Sequence, residues 1–310
     1  MTTREFRPAS EVREGFEILD DRFRAMLPPG AKLEHHWRGA RWAEGPVYFA
    51  DGDYLLFSDI PNNRMMKFDK ASGRTTVFRD PSNFTNGHYR DGEGRLISCE
   101  HGNRRISRTE KGGTVANVVD NYKGKRLNSP NDVVVKSDGT IWFTDPPYGI
   151  LSNLEGHKSE SELGANYLFR YDPSDGSLEI ASDYFDRPNG LAFSPDESVL
   201  YVADSGKPGN IVAFDVASDG RTLENPRVFA TPRPGIADGF RIDTDGNLFT
   251  SAWDGVQVYS PAGELLGRIL VPEQRTANCC FGDPDKRRLY IVASESLYSI
   301  RLNVTGAQNP

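Results

Sequence analysis

Pro188 to Gly220 reads PNGLAFSPDESVLYVADSGKPGNIVAFDVASDG, three short apolar runs separated by turn residues. Gly190–Phe193, Val199–Ala203 and Ile211–Asp215 are predicted as strands, joined by an SPDE turn and a Gly-rich loop into a meander. Asn189 stands just before the first strand, seven residues ahead of the turn residue Asp196. The same spacing recurs along the chain: Glu44 and Asp51, Asn86 and Glu93, Asn131 and Asp138, Asp238 and Asp245, Asn278 and Asp285. Each turn residue precedes a hydrophobic run (YLLF, RLISC, TIWFT, VLYVA, NLFTS, RLYIV). Self-similarity at a period of roughly 40 to 50 residues marks propellers and other repeat arrays. Six copies predict an all-β, six-bladed β-propeller.

Fourth, outer strands are expected at TTVFRD, VANVVD, LEIASD, RVFATP and LLGRIL. The last repeat lacks one, so a segment around Lys32–Trp37 is expected to complete that blade and close the ring, which removes open sheet edges. Residues 1–30, containing FEILDDRFRAML, are then an N-terminal arm with a short helix packed outside, and residues 31–310 a single propeller domain.

Composition narrows the function classes. A formal net charge of −7 lacks the basic footprint that nucleic-acid binding requires. No apolar stretch reaches the ~18 residues of a membrane span, and MTTREFRPAS has no apolar signal core, so a cytoplasmic protein is expected. The three cysteines (Cys99, Cys279, Cys280) are odd in number and point to buried free thiols rather than a disulfide framework. With no long exposed apolar stripe, a monomer is the default.

The topology predicts where the chemistry lies. Innermost strands begin at one mouth of the channel, so Glu44, Asn86, Asn131, Asn189, Asp238 and Asn278 should ring that mouth. The loops from second to third strands, DIPNNR, EHGNR, DSGKPG, AWDG and ASES among them, return there. The loop of residues 145–165 is much the longest, and long loops in compact folds are commonly functional; a lid or specificity wall is expected. The ring offers oxygen donors only. Such sets suit calcium, with six to eight ligands at about 2.3–2.6 Å, and disfavour zinc, which generally takes nitrogen or sulfur. Any single Asn-Gly or Asp-Gly could be a turn dipeptide; six in register argue for a metal site. His101 and Arg104 lie on a mouth loop as candidate contacts to substrate, with Asp145 and Tyr148 at the start of the long loop. His88 faces either channel or blade packing. Asp59 and Asp204 are expected to hold loop amides, Trp142 to pack, and Trp253 to pack or stack on a ligand. No Gly-x-Ser-x-Gly elbow is present, which argues against a serine hydrolase.

Four stretches carry a family resemblance: WAEGPVYF (Trp42–Phe49), LNSPNDVVVKSDGTIWFTDPPYG (Leu127–Gly149), RPNGLAFSPDESVLYVADS (Arg187–Ser205) and ADGFRIDTDGNLFTSAWDGVQVY (Ala237–Tyr259). Together they resemble the gluconolactonase, senescence-marker-protein and luciferin-regenerating-enzyme family, over roughly residues 15–300. The resemblance implies a six-bladed propeller holding one divalent cation, usually calcium, with zinc, manganese or magnesium as alternatives, and hydrolysis of a sugar lactone such as D-glucono-1,5-lactone. By motif, Glu44, Asn131, Asn189 and Asp238 look like the family's metal ligands. Asn86 and Asn278 have no equally firm family role and are assigned to the surroundings of the metal and to substrate. Animal members carry an arginine where this chain has Ser129; LNSPND instead resembles the microbial gluconolactonase branch, and Ser129 is taken as the corresponding substrate contact. The mechanism this implies is a cation that polarises the lactone carbonyl, with Asp238 or a water on the cation as base. Two alternatives stand beside it: another lactone, ester or organophosphate at the same metal site, and a non-catalytic binding scaffold.

Overall fold

The computed structural model describes residues 11–13 and 15–308. Six antiparallel sheets stand around a central channel; in the first five, four consecutive strands run in order from inner to outer, and a small separate hairpin pairs Asn121–Tyr122 with Lys125–Arg126. Blade four, from the stretch quoted first, comprises Pro188–Phe193, Val199–Asp204, Asn210–Val216 and Leu223–Ala230. Each innermost strand packs against the next, and that of blade six (Thr276–Gly282) returns to that of blade one (Ala43–Phe49). Blade six takes its outer strand, Glu34–Arg38, from the N-terminal side, so the ring closes as the sequence predicts. The fold is a six-bladed β-propeller.

The N-terminal segment lies on the outside of the ring and adds strands to it that the sequence did not suggest. Glu11–Arg13 and Phe16–Ile18 form a hairpin that adds to the outer edge of blade five, with Phe16–Ile18 paired to Leu265–Leu270. That edge would otherwise present unpaired backbone N–H and C=O groups. A short helix does follow, Asp21–Met26, capped by the Asp20 carboxylate accepting from Arg22 N at 2.8 Å and burying Phe23 and Met26. Residues 1–10 and 14 of the expected arm lie outside the described residues.

The core lies between neighbouring blades. Trp142, Phe143, Phe169, Leu191 and Leu200 fill the interface of blades three and four, and Phe249, Val256, Ile269, Phe281 and Ile291 that of five and six. Alternation along each strand supplies these faces. Cys99, Cys279 and Cys280 are buried free thiols, as expected. Among the described residues no helix is long and apolar enough to cross a membrane.

The seven-residue spacing resolves into two kinds of chemistry at opposite ends of the inner strands. At one end an acidic residue closes the hairpin. In blades three and four it is the spaced one, where Asp138 Oδ1 accepts from Thr140 N at 2.9 Å and Asp196 Oδ1 from Ser198 N at 3.1 Å. In blades two and five it is the aspartate two residues before, where Asp91 Oδ1 accepts from Arg95 N and Asp243 Oδ1 from Asn247 N, both at 2.8 Å. At the other end stand the six residues of the ring.

Candidate active site

A repeated anchor sets the backbone ahead of three ring residues. Asp59, at the end of the second strand of blade one, accepts from Arg41 N (2.9 Å) and Trp42 N (3.4 Å), just before Glu44. Asp145 accepts from Asn128 N (2.7 Å) and Ser129 N (2.8 Å), before Asn131. Asp204 accepts from Asp186 N and Arg187 N (both 2.9 Å), before Asn189. Buried backbone amides need such partners. Asp59 and Asp204 are thus structural as expected. Asp145 joins them, against the expectation of substrate contact: it is fully buried and spent on amides, with burial pushing its carboxyl up to about 7. In blade five the Ser251 hydroxyl takes the same part, accepting from Asp238 N at 3.1 Å.

Adjacent blades are then stitched at the ring. Gly87 N donates to Asn131 O (2.8 Å), Gly190 N to Asp238 O (3.0 Å) and Gly239 N to Ala277 O (2.9 Å). The Thr144 hydroxyl donates to Asn189 O at 2.8 Å and the Ser58 hydroxyl to Asn86 O at 2.9 Å. These approaches leave no room for a side chain at Gly239, where an added Cβ would lie 1.9 Å from Asn278 Cγ. Gly239→Ala is expected to push Asn278 aside, costing about 1–3 kcal/mol as overpacking and lowering activity; urea denaturation and a rate assay read the two effects.

Around the mouth, Glu44, Asn86, Asn131, Asn189 and Asn278 are all buried, while Asp238 keeps partial exposure. Glu44 Oε2 accepts from Gly45 N at 2.5 Å and from Asn278 Nδ2 at 3.1 Å. Oε1 has no partner among the described residues. Asn278 spends its own oxygen on Cys279 N at 2.8 Å, so its amide orients Glu44. Asn86 Nδ2 lies 3.4 Å from His101 Nε2, and His101 Nδ1 lies 3.0 Å from Glu155 O. The carbonyl assigns the proton to Nδ1 and leaves Nε2 to accept. Burial pulls the His101 pKa down to about 4, so the ring is neutral at pH 7.

The carboxylates crowd one another. Burial, then the charge of Asp238, pushes Glu44 well above the usual carboxylate range. Asp238 is pushed up to about 7 by burial and by the charges of Asp132 and Glu155, against a hydrogen bond from Asn189. The Tyr148 phenol, opening a four-residue helix in the long loop, is raised by burial and by Asp238 and hydrogen-bonds with Ser205 and Asn189. Tyr148 therefore stands near Asn189 and within reach of the Asp238 charge.

Other expected contacts lie elsewhere. The fully buried Ser129 hydroxyl donates to Pro146 O at 2.6 Å and accepts from Gly149 N at 3.0 Å, so it fastens the long loop rather than reaching the mouth. Arg104 is buried likewise, with Nε on Leu127 O at 2.5 Å and Nη1 on Ser159 Oγ at 3.3 Å. His88 is held between Ser58 Oγ (2.8 Å) and Ser98 Oγ (2.9 Å), fully buried and lowered to about 3; it packs blades one and two. Trp142 packs in the core, and the exposed Trp253 carries Arg275 over its face at 5.0 Å.

Sequence reasoning missed one pair. Asp132 and Arg241, each 2% exposed or less, face one another inside the channel with Nη1 3.5 Å from Asp132 Oδ2. Asp132 Oδ1 accepts from Val133 N at 2.9 Å, and Arg241 Nη1 donates to Phe240 O at 2.7 Å. The available signal was Arg241 itself, a cation in the otherwise apolar inner strand Phe240–Ile242. Beyond this pair, at the turn end of the channel, a cavity of about 300 Å³ is lined by Tyr89, Phe193, Asp196, Glu197, Arg241 and Gln308. None of the ring residues reaches it.

Among the described residues no three His, Cys, Asp or Glu side chains group as a metal site. The ring supplies only two carboxylates, and the remaining donors are amide oxygens. Such a set, with two crowded carboxylates and an unpartnered Glu44 Oε1, fits a hard divalent cation.

Comparison with known proteins agrees with this geometry. The chain matches the family model described as SMP-30/Gluconolactonase/LRE-like region over residues 42–295. It is 38% identical over 308 residues to the gluconolactonase of Zymomonas mobilis subsp. mobilis, covering 92% of this chain and 85% of that one. It is 26% identical to the pentonolactonase XacC of Haloferax volcanii, with 82% of each chain covered. The solved structure of a gluconolactonase from Xanthomonas campestris superposes with a TM-score of 0.88 at 37% identity, covering 93% of this chain and 95% of that one. With the ring, its inter-blade stitching and most of its length accounted for, this chain belongs to the SMP-30/gluconolactonase/LRE-like family.

Proposed function

We propose that this protein hydrolyses a sugar lactone such as D-glucono-1,5-lactone to the aldonic acid, using a divalent cation, preferentially calcium, held by Glu44, Asn131, Asn189 and Asp238. The observation that carries the reading is the convergence of two crowded carboxylates with amide side chains at one mouth. The relatives named as gluconolactonases support the substrate class. Oxygen-only donors support calcium over zinc.

When bound, such a cation supplies Lewis-acid polarisation of the lactone carbonyl. The protein's own part rests on Asp238, the one ring carboxylate with partial exposure. Asp238 takes a proton from water as the water oxygen bonds to the carbonyl carbon. As the ring C–O bond breaks, that proton passes to the departing ring oxygen, which becomes the free hydroxyl of the acid. Asn189 orients the Asp238 carboxylate, and neutral His101 holds Asn86 without adding charge.

The test is the rate of glucono-1,5-lactone opening, corrected for spontaneous hydrolysis, in chelated protein before and after calcium is added. Activity is expected only with calcium. Calcium is also expected to raise the thermal midpoint, by about 2.7 kcal/mol of stability at a hundred times Kd. Calcium binding without lactone opening would redirect the reading to another ester, and the absence of any metal binding would overturn it.

A further inference from the structure

The long loop of blade three crosses the channel mouth and is fastened along its length. Gly149 lies on His101 and Ser129, where an added Cβ would come within 2.5 Å of His101 Cβ, and Gly156 lies on Gly149, where an added Cβ would come within 2.2 Å of the Gly149 carbonyl oxygen. Ser159 N donates to Ile150 O at 3.0 Å, Ser161 Oγ to Asn128 Oδ1 at 2.6 Å, and the His157 ring meets Phe84 edge-on at 5.4 Å. Glu155 sits between these fastenings. Its carbonyl receives the His101 Nδ1 hydrogen bond at 3.0 Å, which ties its backbone to the residue that holds Asn86.

The Glu155 carboxylate is half-buried yet makes no hydrogen bond or ion pair with another described residue. His101, to which the Glu155 carbonyl is tied, holds the ring amide of Asn86, which sets Glu155 beside the mouth, and its charge acts on Asp238. A charge withdrawn from water without a partner is unfavourable, and a pinned loop keeps it there. The groups to which its backbone is tied, neutral His101 and through it the Asn86 amide, suit hydroxyls rather than a counter-ion. A carboxylate accepts at two oxygens, a match for two neighbouring hydroxyls of one sugar ring.

We propose that Glu155 is a specificity-determining residue of this site: its carboxylate accepts hydrogen bonds from the hydroxyls of a cyclic polyol lactone seated at the mouth beside His101 and Asn86. The inference rests on the lactonase reading and deepens it. The experiment compares wild type, Glu155→Gln and Glu155→Ala on D-glucono-1,5-lactone and on δ-valerolactone, which has the same ring without hydroxyls. Calorimetry with 1,5-anhydro-D-glucitol, which keeps the hydroxyls but lacks the carbonyl, runs beside it. Glu155→Ala is expected to lower kcat/KM for the sugar lactone by about 10- to 100-fold, the worth of hydrogen bonds to a charged group, with δ-valerolactone changed less than about twofold and Glu155→Gln in between. Binding of the anhydro sugar should weaken in parallel. Equal losses on both lactones, or no loss on either, would overturn the assignment. Should wild type open neither lactone, the lactonase reading fails, but weaker anhydro-sugar binding in Glu155→Ala would still sustain the polyol contact. Binding that is absent or unchanged would sink it.

Discussion

Asp238→Asn is expected to lower kcat/KM for the sugar lactone by about 10²- to 10⁴-fold, the range removed with a positioned acid–base group, and to weaken calcium binding. The same change should stabilise the chelated protein. An ordinary aspartate in the unfolded chain releases its proton near 4, whereas Asp238 in the fold, buried and then crowded by Asp132 and Glu155, holds its proton to about 7. Between those values the folded state binds more protons than the unfolded state, so stability falls as pH rises through this window. At three pKa units the cost reaches about 4 kcal/mol above pH 7. Chelated Asp238→Asn should therefore exceed wild type in thermal midpoint at pH 8, and the difference should vanish at pH 4. Added calcium should reverse the order at pH 8, because wild type then gains more from the ion. A variant no more stable than wild type in chelator at pH 8 would show that the crowding at the ring is not a real cost. An active site that is strained without its ligand is the expected form of a stability–activity trade-off.

The propeller was legible because blade topology repeats in sequence: a turn aspartate, an alternating strand and a ring residue recur at one spacing. Register along the inner strands put all six ring residues at one mouth, and that too follows from counting. What sequence does not carry is which polar group wins a given partner. Asp145 and Tyr148 stand three residues apart in DPPYG. Asp145 is captured by the amides of Asn128 and Ser129, while Tyr148 turns toward Asp238 on a short helix. Ser129 and Arg104 are likewise drawn to carbonyls of the long loop and its surroundings, whose path no local pattern dictates. The N-terminal hairpin was missed because the edge it covers lies some 250 residues away in sequence, as in the pairing of Phe16 with Ile269.

Arg241 shows how such a long-range pair governs the site. Removing one partner of a buried ion pair leaves a bare charge, a loss of about 3–5 kcal/mol, whereas replacing both with neutral groups of similar size is often neutral or stabilising. Arg241→Met should therefore destabilise by about that amount in urea titration, and Asp132→Asn with Arg241→Met should recover most of it. The reach of the pair into the ring makes the effect functional as well. Asn278, which orients Glu44 through a 3.1 Å hydrogen bond, also approaches Asp132, and the Asp132 charge is the largest single charge acting on Asp238. Arg241 thus offsets the Asp132 charge and lowers the crowding that Glu44 and Asp238 feel. In the single variant, calcium affinity should change together with stability. In the double variant the charge of the pair is removed on both sides, so affinity measured by calorimetry should return to within a few-fold of wild type. Additive stability losses, with no recovery in the double variant, would mean that the two side chains do not act as a pair.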